Sequence, residues 1–69
     1  MVEVFKTNVR KIKESRLLIR KLLRHFPNAT INFDLSDCDK ILRAEGENLL
    51  TAEIIDLVSA SGYQVESLQ

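Results

Sequence analysis

Hydrophobic and polar positions change period several times along the 69 residues, and each change predicts a new element. Val2 to Val9 is rich in Val, Phe and Thr and contains no helix breaker, which predicts a strand. Its phase is open, because Val2 and Val4 share one face while Phe5, Thr7 and Val9 share the other. Asn8 is a good N-cap for a helix beginning near Val9. That helix runs to about Phe26: Ile12, Ile19 and Phe26 recur every seven residues, and Leu18, Leu22 and Leu23 widen the apolar stripe. Pro27 and Asn28 stop it, since the residue before a proline resists the α region.

From Ala29 to Leu35 the period drops to two, with Ile31, Phe33 and Leu35 alternating against Asn32 and Asp34. Ser36, Asp37, Cys38 and Asp39 form a polar turn. A further strand follows through Lys40 to Glu45, with Leu42 and Ala44 inward, and Gly46 ends it. Asn48 or Thr51 can cap a second helix that buries Leu50, Ile54, Ile55 and Val58. Gly62 falls where a left-handed residue closes a helix, and Tyr63 to Leu68 alternates as a last strand.

The order strand, helix, strand, strand, helix, strand predicts an α+β fold: a ferredoxin-like βαββαβ sandwich with both helices on one face of a four-stranded antiparallel sheet. A right-handed crossover sets the third strand between the first and the second. Cys38, Lys11 and Glu14 then share one end of the domain, and His25 lies at the other. Residues 1–69 are expected to make a single domain, too short for a second core.

Composition narrows the class. At 45% hydrophobic and 29% charged, the chain does not read as disordered or low-complexity. No apolar run approaches a membrane span or a signal-peptide core, so a cytoplasmic setting is expected. One cysteine excludes an internal disulfide and any zinc site needing several thiolates. Net charge is zero but segregated: residues 1–27 hold eight of the ten Lys and Arg, and residues 28–69 hold eight of the ten acids.

The stretches Phe5-Lys6-Thr7-Asn8-Val9, Asp39-Lys40-Ile41-Leu42, Glu45-Gly46-Glu47, Ile54-Ile55 and Ser61-Gly62-Tyr63 together resemble a bacterial heavy-metal-associated domain over nearly the whole chain. The resemblance implies a Cys-x-x-Cys pair on the first loop and first helical turn, suited to a soft ion such as Cu(I). It places Val9 where the family has a buried Met, and the two cysteines at Lys11 and Glu14. A lysine offers no lone pair near neutral pH, and a glutamate is a hard oxygen donor. No cysteine occurs in residues 7–16, so a shifted register does not restore the pair. Lys11 and Glu14 are expected as a solvated i, i+3 pair; the alternative is a pseudo-site in which the lysine stands in for a bound cation.

Cys38 lies between Asp37 and Asp39, whose charge disfavours a thiolate, so an incidental thiol is expected and weak binding of a borderline metal through these three residues is the alternative. His25 reads as a cation at a helix C-terminus. With no base–nucleophile pairing and no glycine-rich phosphate loop, catalysis is not expected, and no cofactor is implied. Arg10, Lys13, Arg16, Arg20, Lys21 and Arg24 form a basic face opposite the apolar stripe. A nucleic-acid role is disfavoured because the third strand carries no aromatic for base stacking, and Glu47, Glu53 and Asp56 can neutralise part of the face from within. The charge-segregated halves suit a protein partner or weak homo-oligomerisation, with Val2 and Val4 available on the open sheet face. The expected function is an accessory or protein-interaction module on a heavy-metal-associated scaffold. Residual copper or zinc trafficking through Cys38, or through ligands shared with a partner, is the alternative.

Overall fold

The computed structural model describes residues 1–68. Its elements are β1 (Val2–Thr7), α1 (Ile12–His25), β2 (Thr30–Asp34), β3 (Ile41–Glu45), α2 (Thr51–Ala60) and β4 (Val65–Ser67). The strands form one sheet in the order β2-β3-β1-β4, with every neighbouring pair antiparallel. This is the ferredoxin-like arrangement, with β3 inserted between β1 and β2.

Period-two patterning decides which sheet face is covered. Phe5 pairs with Leu42, which also pairs with Phe33, and Ile31 pairs with Ala44. These side chains point the same way and join Leu18 and Leu22 of α1 and Ile54 and Val58 of α2 in one core. Both helices therefore lie on that face. The open phase of β1 resolves accordingly: Phe5 and Thr7 are buried, while Val2 and Val4 are half-buried on the other side. Packing of this kind dominates stability, and truncating fully buried Leu22 to alanine costs about 2–5 kcal/mol.

Several boundaries differ from the sequence expectation, each for a tertiary reason. β1 ends at Thr7, and α1 begins only at Ile12, with Lys11 rather than Asn8 in the capping position. Asn8 instead turns its side-chain oxygen to the Gln64 N–H at 2.8 Å, tying the first loop to the last. Ile12 was expected in the apolar stripe but is exposed; the buried side of α1 runs through Ser15, Leu18 and Leu22. In the second helix the capping position is Leu50, and Leu50 is exposed while its neighbour Leu49 is buried. Thr51, expected as a possible cap, donates its hydroxyl to the Glu3 carboxylate of β1. β4 starts at Val65, although Tyr63 still packs against the core. Gly62 has φ +96°, in the region that favours glycine, as the helix-closing reading requires.

Candidate functional site

Three connections meet at one end of the sheet: β1 to α1, β2 to β3, and α2 to β4. Thr7, the last residue of β1, holds the first two together. Its N–H donates to the Asp39 carbonyl at 3.1 Å, and its hydroxyl donates to the Lys40 carbonyl at 2.6 Å. The same hydroxyl oxygen accepts the Val9 N–H at 3.2 Å. A buried hydroxyl with both roles filled is a rigid joint, because leaving either partner unsatisfied carries a desolvation cost. Lys6 Nζ adds an ion pair to Asp39 at 3.6 Å, exposed on both sides and so worth little.

Lys40 reinforces the β2–β3 turn. Its φ of +48° is left-handed, which is uncommon for a side chain of this kind. Its N–H donates to the Asp37 carbonyl at 3.0 Å, and its ammonium donates to the Leu35 carbonyl at 2.9 Å. Asp34 closes the preceding bend by accepting the Ser36 hydroxyl at 2.6 Å and the Ser36 N–H at 3.2 Å. The Ser36 hydroxyl is the main reason the Asp34 carboxyl titrates below its ordinary range.

Lys11 and Glu14 do come together, but through the main chain. The Lys11 backbone N–H donates to Glu14 Oε1 at 3.3 Å, which is the glutamate half of a capping box. The reciprocal half is chemically impossible, since an ammonium accepts no hydrogen bond. Among the described residues, the two side chains form no ion pair. Glu14 has a second neighbour in Tyr63 on the α2–β4 loop. Burial, and then the nearby Glu14 carboxylate, pushes the Tyr63 phenol above its ordinary value. One oxygen of Glu14 is thus committed to the helix start, while Lys11 is exposed. Val9, which the resemblance aligns with a buried Met, is itself fully buried.

Cys38 is exposed and lies at this same end, on the β2–β3 turn. Asp37, Cys38 and Asp39 can bring one ligand atom each within 4.8 Å of one another. Two of these donors already have work: Asp37 Oδ1 accepts the Asp39 N–H at 2.8 Å, and Asp39 faces Lys6. One thiol with two hard oxygens is a poor match for Cu(I).

Away from that end, Arg10, Lys13, Arg16, Arg20, Lys21 and Arg24 are all exposed, as expected. Among the described residues, no cation of α1 forms an ion pair with an acid of α2. Lys21 instead donates to the Ser61 hydroxyl at 3.1 Å. His25, at the far end of α1, lines a groove with Glu53, Asp56, Leu57 and Ala60. Phe26, Phe33 and Tyr63 pack on the core and Phe5 is buried within it, so the open sheet face carries none of the four aromatic rings.

Sequence reasoning missed the roles of Thr7, Ser15 and Tyr63. Thr7 was visible only as a polar residue in phase with Phe5 and Val9, a position that demands a hydrogen-bond partner. Ser15 is buried on the helix stripe and returns its hydroxyl to the Ile12 carbonyl at 2.7 Å. No helix of the described residues is long and apolar enough to cross a membrane. No family profile matches the chain, and no curated protein or solved structure does.

Proposed function

We propose that this chain is a heavy-metal-associated-like domain that has lost thiolate metal binding and serves, without catalysis, as a protein-interaction or accessory module in a reducing cytoplasmic setting. The observation that carries the reading is the commitment of Glu14. At the position where the resemblance calls for a second thiolate, its carboxylate caps α1 through the Lys11 N–H, and its charge helps raise the Tyr63 phenol. The partner position, Lys11, offers a cation in place of a donor. The end of the scaffold that would hold a soft ion is instead held together by protein contacts. Meanwhile α1 presents exposed cations unpaired with α2 acids among the described residues, which suits recognition of an acidic protein surface.

A second reading, residual copper or zinc binding through Cys38, Asp37 and Asp39, is favoured by the close approach of their ligand atoms. Titration with Cu(I) and Zn(II) in reducing buffer separates the two. The interaction reading expects no stoichiometric uptake by the wild type and no change on Cys38→Ser. Tight one-to-one uptake abolished by Cys38→Ser would replace it with the second.

A further inference from the structure

The two helices are antiparallel neighbours in one layer. His25, ending α1, sits beside Glu53 near the start of α2, and Lys21 reaches Ser61 at the end of α2. Their solvent sides differ in charge. With Ser15, Leu18 and Leu22 facing the core, the helical repeat turns Lys13, Leu17, Arg20 and Arg24 outward. With Ile54 and Val58 facing the core, it turns Glu53, Asp56 and Ala60 outward on α2. All seven outward residues are exposed, and Leu17 leaves half its surface to solvent within the basic stripe.

We propose that two copies of this chain pair through their helix layers about a two-fold axis lying along the groove between α1 and α2, so that the basic α1 face of each copy covers the acidic α2 face of the other. The choice of axis follows from charge. A two-fold axis across the helices would stack α1 on α1 and place like charges together. The axis parallel to them sets α1 on α2 twice at once, in a closed, self-complementary contact. That axis also preserves height along the helices. Arg24 of one copy arrives against the acidic α2 of the other, because His25 and Glu53 line one groove within one copy. Leu17 then faces the α2 side of the groove, where Ala60 is a small side chain that allows close approach. The domain measures only 27 × 23 × 18 Å, so even its largest face gives an interface at the small end of the specific range. The dimer is therefore a weak, salt-sensitive one.

This inference rests on the interaction-module reading, and the two fail separately: metal uptake removes the module, whereas a metal-free monomer removes only the dimer. Sedimentation equilibrium of the full chain at about 50 mM and about 500 mM NaCl is the test, since exposed charge pairs are screened over that range. At low salt the mass is expected to rise with concentration from 7.9 kDa toward twice that value and to stop there. The dissociation constant is expected to increase at least about tenfold at high salt. Arg20→Glu/Arg24→Glu and Glu53→Lys/Asp56→Lys are each expected to be monomeric and to form a one-to-one heterodimer when mixed. These positions are exposed, and circular dichroism checks that both variants remain folded. A wild type that stays monomeric to about 1 mM, the edge of weak association, would overturn the proposal, including when it binds phosphatidylserine vesicles instead. So would growth beyond the dimer, salt-insensitive pairing, or failure of the folded variants to pair.

Discussion

The Lys11 backbone N–H reaches Glu14 Oε1 at 3.3 Å, so these two residues are joined through the main chain and not by their opposite charges. The lysine side chain is incidental to that bond, and the glutamate side chain is essential to it. Replacing Glu14 removes the acceptor that holds the first turn of α1; replacing Lys11 leaves a backbone N–H in place.

Glu14→Ala is expected to lower unfolding free energy by about 1 kcal/mol, and Lys11→Ala by less than about 0.5 kcal/mol. Urea denaturation of the two variants measures both. Equal losses would mean that the Lys11 ammonium, acting as a built-in cation, holds the loop.

Tyr63 is the only tyrosine and the chain has no tryptophan, so its ionisation can be followed by ultraviolet absorbance. Its folded value lies above the ordinary 10.0, through burial first and Glu14 second. The folded state therefore holds the phenol proton more tightly than the unfolded chain does. The stabilisation is fully present below about pH 10 and is lost as pH rises through the folded value. Glu14→Gln removes the negative charge beside the phenol, so the midpoint should fall part of the way toward 10.0. An unchanged midpoint would show that the carboxylate does not face the phenol.

Thr7→Val keeps the shape of the side chain and deletes a hydroxyl that both donates to Lys40 and accepts from Val9. The two backbone groups left behind should cost about 1–3 kcal/mol, read as a lower urea midpoint at unchanged slope. Thr7→Ser retains the hydroxyl and should lose less.

Gly62→Ala tests backbone conformation in isolation. Nothing lies within 4 Å of the added methyl, so only the φ of +96° opposes it. A loss of about 1 kcal/mol is expected from thermal or urea unfolding. No loss would place the α2 ending under a different control.

The order of elements and the buried faces of β2 and β3 were legible because alternation of Ile31 and Phe33, and of Leu42 and Ala44, states a covered side directly. What sequence left open depended on distant partners. Asn8 has the chemistry of a cap, and only the approach of Gln64 diverts it. Ile12 fits a seven-residue repeat, yet the helix begins with it, and its first side chain finds no core beneath. Leu49 and Leu50 are adjacent and identical, so local pattern cannot say which of them enters the core; the chain's approach to α2 selects Leu49. At the candidate site, the shared end of Cys38, Lys11 and Glu14 was legible from topology. The Thr7 bond to Lys40 and the approach of Glu14 to Tyr63 were not, because each joins residues more than thirty positions apart.

We propose that Lys11 and Glu14 stand where a soft-metal pair would sit on this scaffold. Competition against a chromophoric Cu(I) chelator in reducing buffer tests it most directly, comparing the wild type with Lys11→Cys/Glu14→Cys. The account predicts that the wild type leaves the chelator loaded and that the double variant withdraws one Cu(I) per chain. Withdrawal by the wild type, or none by the folded double variant, would contradict it.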